Sequence, residues 1–236
     1  MRPTASNVIS TLKEDSDPEK AAFYPRFFKT GKGEYGEGDR FLGVTVPKQR
    51  RIAKQYRDLP EPEIVTLLKN PYHECRLTGL FVLVSQFERG NEIRRGQIVD
   101  LYLAHIKCVN NWDLVDATAH KILGAYLENR DRSLLSELAE KDHLWSQRIS
   151  VIATLHFIKL NQYHDTLSLS RIFLKHPHDL MHKAVGWMLR EIGKRNVDAL
   201  EGFLLAHYHV MPRTMLRYAI ERLPEERRQM YLKGSA

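Results

Sequence analysis

Only two cysteines, Cys75 and Cys108, occur in 236 residues, too few for a disulfide framework to hold the chain together. Both sit within apolar, helix-like runs, where free buried thiols are expected. Long hydrophobic stretches are missing too. No segment reaches the roughly 18 apolar residues of a membrane-spanning helix, and the N-terminus lacks the charged-then-apolar pattern of a secretory leader. These absences lead to the expectation of a cytoplasmic protein with no membrane partner. Metal motifs are scarce despite eleven histidines. Around His178 and His182, or His207 and His209, no cysteine or carboxylate falls at ligand spacing, and no His-Glu-x-x-His occurs, so no metal and no other cofactor is expected. Gly31-Lys32-Gly33-Glu34-Tyr35-Gly36 matches the dinucleotide fingerprint literally. However, no strand precedes it, no helix follows at once, and Glu34 and Glu37 would repel a phosphate, which excludes that reading.

What the chain has in excess is positive charge. Lysine and arginine number 36 against 29 acids, a formal net charge of +7, which points to a polyanionic partner such as nucleic acid. The basic groups cluster at Lys48-Gln49-Arg50-Arg51, Lys54, Arg57, Arg94-Arg95, Lys194-Arg195 and Arg227-Arg228. Each cluster could be a solvated helix face. Spread along a basic chain, they also fit a phosphate track, with Arg50 and Arg51 its leading members.

Almost every segment after residue 46 carries the helical period. Leu77, Leu80, Phe81 and Val84 form one stripe; Val151, Ile152, Leu155 and Ile158 a second; Ala184, Val185, Met188, Leu189 and Ile192 a third. Proline, asparagine and glycine breaks separate helices of ordinary length, so the fold class is all-α. A basic residue leads an apolar helix at Arg76, Arg148, Lys183 and Arg213. With Trp112 midway between the first two, the pattern recurs at roughly 30 to 40 residues, the period of an α-solenoid of helix pairs. An ordinary helical bundle is the alternative. On the solenoid reading residues 1–236 form one repeat domain, and the leading residues face one groove.

The most informative stretch is Asn110-Asn111-Trp112-Asp113-Leu114-Val115-Asp116. Helical residues at i and i+4 share one side, so an aromatic face at Trp112 and a carboxylate at Asp116 stand together, a combination that holds a cation. The blander reading makes Trp112 a core residue and Asp116 a solvated acid or a partner of Arg148. Asp113 falls in the first turn, where a carboxylate complements the helix dipole, and reads as structural. Trp187 lies in an apolar run but is flanked at helical spacing by Lys183, Arg190 and Lys194, giving it a basic, exposed face. Trp145 reads as packing.

Three segments, N-N-W-D-L-V-D (110–116), L-W-S-Q-R (144–148) and H-K-A-V-G-W-M-L-R-E (182–191), resemble in order and separation those of the AlkD-like DNA alkylation repair family. The resemblance runs from Phe41-Leu42-Gly43-Val44 to about Arg222. It implies a C-shaped stack of HEAT-like helical repeats gripping duplex DNA. The implied enzyme is a monomeric, monofunctional glycosylase of the bacterial cytoplasm and nucleoid, which releases cationic N3- or N7-alkylated purines without flipping the base. Carried over by motif, Asp116 is the catalytic carboxylate and Trp112 and Trp187 are aromatic walls beside the deoxyribose. Arg148 is a phosphate contact, and the basic flanks and clusters read from the sequence itself add Lys183, Arg190, Lys194, Arg50 and Arg51 to the expected DNA-binding set. An alkylated purine already carries positive charge, so its departure needs a fixed negative group near the sugar more than an acid. No lysine is marked out for lyase chemistry.

Residues 29 to 43 are where the family pattern bends. Four glycines around Tyr35 suggest a β-hairpin or extended loop, and Phe27 stands where active relatives often have tyrosine. Hairpin-bearing relatives look more like binders of branched or distorted DNA. A non-catalytic binder of damaged or branched DNA is therefore the alternative function, and a protein-binding helical scaffold the third.

Overall fold

The computed structural model describes residues 2–235, and among them only helices, turns and loops occur, as expected of an all-α helical-repeat fold. The helices are α1 (Ala5–Glu14), α2 (Pro18–Phe27), α3 (Val46–Gln55), α4 (Glu61–Leu68), α5 (His73–Arg89), α6 (Glu92–Ala104), α7 (Trp112–Ala119), α8 (Ser133–Glu140), α9 (Leu144–Ala153), α10 (Leu155–Lys159), α11 (His164–Ile172), α12 (Asp179–Gly193), α13 (Val197–His207), α14 (Arg213–Ala219) and α15 (Glu225–Lys233). A π-turn, His120–Gly124, follows α7. Starts are written locally. Thr4 and Asn7 form a reciprocal cap on α1, and Asp17, Asn91 and Asn196 cap α2, α6 and α13 through their side-chain oxygens. The chain divides into two compact units, one ending at Thr118 and the other beginning at Ala119.

In the first unit α5 is the hub, packed against α1, α3, α4 and α6. Its segment Leu77–Val84 contains no charged residue, and every side chain in it is buried. The single stripe read from Leu77, Leu80, Phe81 and Val84 is thus part of a helix apolar on all sides, as a central helix must be. Of the two thiols, Cys75 is buried as expected, whereas Cys108 is only half-buried. In the second unit α12 is the hub, against α9, α10, α11, α13 and α14. Its stripe Ala184, Val185, Met188, Leu189 and Ile192 is wholly excluded from solvent, and Val151, Ile152, Leu155 and Ile158 are buried beside it.

The glycine-rich segment does not form a β-hairpin. Residues 31–38 make consecutive turns closed by Glu34 N–H to Gly31 O, Gly36 N–H to Lys29 O and Glu37 N–H to Glu34 O. Local acids account for the difference: Glu34 and Glu37 accept from the amides of Gly31 and Gly33 at 2.8 Å, taking up donors that a ladder would need. What remains extended is one parallel bridge between Arg40 and Tyr72. Here Arg40 N–H donates to Pro71 O and His73 N–H donates to Arg40 O. The bridge ties the end of this loop to the start of α5.

The next residues, Leu42 to Val44, are held by a buried acid. Glu74 accepts the amides of Leu42, Gly43 and Val44 at 2.8–3.2 Å. Gly43 has φ +83°, and a Cβ there would sit 2.0 Å from the Asp17 carbonyl oxygen. Only glycine fits this close approach.

Candidate functional site: an acid-lined aromatic chamber

Helix α7 begins where Asn111, fully buried, accepts the Trp112 amide on its side-chain oxygen at 2.8 Å. Leu114, Val115 and Ala119 anchor the helix in the core, leaving the opposite side to Trp112, Asp113 and Asp116. The i, i+4 spacing has the expected result: Trp112 and Asp116, both half-buried, line one chamber of about 450 Å³.

The walls of that chamber are largely aromatic. Phe28 is stacked between two rings, with Trp112 at 5.6 Å and 19° and Phe41 at 5.2 Å and 18°. Tyr24 meets Phe28 and Phe41 edge-on. Phe27 meets Trp112 edge-on at 5.9 Å and is half exposed. Val44, Val46, Leu77, Phe81 and Ala117 supply the remaining apolar surface. The polar lining is Gln49, His73, Glu74, Asp113 and Asp116, with no lysine or arginine.

Under the rings lies a buried ion network. His73 places Nδ1 3.0 Å from Asp39 and Nε2 2.8 Å from Asp113. Asp39 also accepts from Arg76 at 2.6 Å and from Asn110 at 3.2 Å. Burial works against a charged imidazole at His73. The facing carboxylates, Asp113 foremost, outweigh it and raise the pKa to about 9. For Asp39, burial alone would push the pKa up, and the bonds from His73 and the charge of Arg76 bring it below the ordinary carboxylate value. Two cations and two carboxylates therefore neutralise one another. Asp113 completes this network from the first turn of α7, as a structural acid, while Asp116 stands one turn further along α7 at the chamber wall.

Arg50 and Arg51 are exposed on α3, Arg50 over the Phe81 ring at 4.1 Å and Arg51 paired with Asp15 at 2.5 Å. In the second unit, Trp187 is half-buried on α12, and its indole N–H donates to Glu191 at 3.1 Å. Lys194 pairs with the same carboxylate at 2.5 Å, Lys183 with Asp179 at 2.8 Å, and Arg190 with Glu221. Each of these three cations thus has an acidic neighbour, but such partly exposed pairs are weak and readily exchanged for other anions.

Two of the four leading basic residues, Arg76 and Arg148, are buried within their own units. Arg76 is 5% exposed and bonds Asp39 and the carbonyls of Asn70 and Pro71. Arg148 is 4% exposed and donates to Leu180 O at 2.5 Å. At both positions the guanidinium satisfies backbone carbonyls within its own unit, which weighs against an open phosphate contact at Arg148.

Sequence reasoning missed Phe28, Phe41, His73, Glu74 and Asp39. The available signal was His73-Glu74-Cys75-Arg76, in which three charge-bearing side chains open a helix that runs on as an uninterrupted apolar segment. Charges entering a core must be paired.

Residues 8–223 match the family model described as DNA alkylation repair enzyme. A solved structure described as a predicted DNA alkylation repair enzyme from Enterococcus faecalis has the same fold. It aligns with a TM-score of 0.68 at 16% identity, covering 89% of this chain and 98% of that one. No curated protein gives a significant match.

Proposed function

Because the chain belongs to the DNA alkylation repair enzyme family, we propose that it is a monofunctional DNA glycosylase releasing cationic N3- or N7-alkylated purines from double-stranded DNA. The observation carrying this reading is the pairing of Trp112 with Asp116 at a chamber whose lining is acidic and aromatic in a chain of net charge +7. A basic exterior suits the phosphates, and an acidic, aromatic site suits a positively charged lesion.

In this mechanism the C1′–N bond breaks, and its electron pair goes to the purine, which leaves with its positive charge cancelled. The sugar acquires oxocarbenium character, stabilised by the Asp116 carboxylate against the Trp112 face. Water adds to C1′ and gives up its proton to Asp116 or to solvent. The low-polarity aromatic walls strengthen the carboxylate's field, and no acid is needed to protonate the departing base. The sugar is contacted at the chamber mouth, so the base of a duplex lesion need not be flipped out. Trp187 is proposed as a second aromatic wall, with Lys183, Arg190, Lys194, Arg50 and Arg51 as phosphate contacts. The test is incubation with duplex DNA carrying N7-methylguanine and quantification of the freed base. Release at a rate well above spontaneous loss supports the reading. Tight binding without release supports the alternative, a non-catalytic binder of damaged or branched DNA, which Phe27 favours because it places no hydroxyl beside Trp112.

A further inference from the structure

The glycine-rich loop is a sequence motif to which the proposed reaction gives no role. Its buried contacts converge on the start of α7. Asp39 takes Asn110 at 3.2 Å and Arg76 at 2.6 Å on one carboxylate oxygen and His73 at 3.0 Å on the other, and His73 holds Asp113 at 2.8 Å. Gly36 is buried, and a Cβ there would lie 2.7 Å from Phe28 O and 3.0 Å from the side-chain nitrogen of Asn111. It is therefore packed against Asn111 with no room for a side chain, and Asn111 in turn accepts the Trp112 amide. The loop thus meets Asn110 and Asn111 directly and Asp113 through His73, holding the chain on both sides of Trp112.

We propose that this loop is the positioning element of the site, with Asp39 and Gly36 fixing the start of α7 and so keeping Trp112 and Asp116 where the sugar is met. The inference rests on the alkylpurine reading for the reaction that is served; the contacts themselves are independent of it.

Two features carry the assignment. Burial of Leu114 and Val115 keeps α7 in the core, but apolar burial is non-directional, and the helix is only eight residues long. Its rotation at the N-terminal end is set by directional bonds, those of Asn110, Asn111 and Asp113. Second, the side chain of Asp39 is 4% exposed and that of His73 2%. Neither can reach a DNA backbone, so their effect on the reaction runs through α7. A displacement of about 1 Å at a reacting group costs on the order of 10²-fold in rate.

Single-turnover release of N7-methylguanine from duplex DNA at saturating enzyme, with DNA affinity measured separately, tests this at a temperature where each variant is folded. Asp39→Asn keeps the shape of the side chain and deletes the charge that faces His73 and Arg76. It should lower the saturated rate by about 10- to 100-fold while affinity for the DNA is unchanged. Gly36→Ala, which acts by space and not by charge, should move the rate in the same direction. If neither variant folds, Asn110→Ala decides. It removes the bond to Asp39 together with an Oδ1 that is buried without a partner, so it spares the fold and should still lower the saturated rate several-fold. A folded variant of this set that releases base as fast as wild type overturns the proposal and leaves the glycosylase intact. A loss of affinity matching the loss of rate also overturns it, because the loop then contacts the DNA. If wild type releases no base, the alkylpurine reading fails, and acrylamide quenching of Trp112 in a Trp145→Phe, Trp187→Phe background decides the geometry. Easier quenching in Asp39→Asn upholds the hold of the loop on α7, and equal quenching overturns it.

Discussion

Nε2 of His73 lies 2.8 Å from Oδ2 of Asp113, so the first turn of α5 is joined by an ion pair to the helix that carries Trp112 and Asp116. Asp39, on the other ring nitrogen, brings the end of the glycine-rich loop into the same network. The imidazolium thereby ties its own segment to two others that are distant in sequence, and the wall of the chamber depends on its charge.

That dependence predicts a pH profile for stability. The pKa of His73 rises from an ordinary 6.5 in the unfolded chain to about 9 in the fold. Its contribution is fully present below pH ~6.5 and is lost as pH rises through about 9, amounting to roughly 3 kcal/mol at 1.36 kcal/mol per unit. Asp39 is shifted downward, so its contribution is present above the usual carboxylate range and is lost on acidification. Urea unfolding across pH should show a broad optimum with an alkaline decline centred between these His73 values. A flat profile from neutral pH to pH ~10 would contradict the assignment.

Replacing His73 with leucine removes the cation from between two carboxylates. Breaking one partner out of a buried ion network typically costs about 3–5 kcal/mol, and thermal and urea unfolding should both register a loss of that order. A change below about 1 kcal/mol would mean that Asp39 and Asp113 find other partners.

Gly43→Ala and Glu74→Gln test the loop anchor separately. An added Cβ at Gly43 would sit 2.0 Å from a backbone oxygen at φ +83°, so a loss of at least about 2 kcal/mol is expected. Glu74→Gln keeps the shape but weakens three charge-assisted bonds. It should cost less than Gly43→Ala, and a neutral result at both positions would overturn the account of this turn.

Arg148→Ala separates a structural arginine from a phosphate contact. With the guanidinium buried on Leu180 O, the variant should melt at lower temperature while the slope of log K against log salt for duplex DNA stays nearly unchanged. Lys194→Ala, at an exposed position, should instead flatten that slope by up to about 0.9. If Arg148→Ala flattens it equally, Arg148 reaches the DNA after all.

The sequence made the helices legible because periodicity at Val151 to Ile158 and Ala184 to Ile192 is a local signal, and the same spacing rule brought Trp112 and Asp116 to one wall. The hairpin expectation failed because glycine content reports freedom of the backbone, whereas the outcome depended on Glu34 and Glu37 accepting nearby amides. Arg76 and Arg148 look like surface charges in a one-dimensional pattern, and only the fold places carbonyls around them. The network of Asp39, His73 and Asp113 joins residues more than 30 positions apart, and no periodicity announces such a pairing. The same holds for Phe28 and Phe41, whose stacking depends on the turn after α2.

The most direct measurement compares wild type and Asp116→Asn in single-turnover release of N7-methylguanine from duplex DNA. Asparagine keeps the size and much of the hydrogen bonding of Asp116 while deleting its charge, so release should fall by on the order of 10²-fold or more. Affinity for the same DNA should stay similar or rise. If the variant releases the base as fast as wild type, Asp116 is not the charge that stabilises the sugar, and the glycosylase mechanism built on Trp112 and Asp116 is wrong.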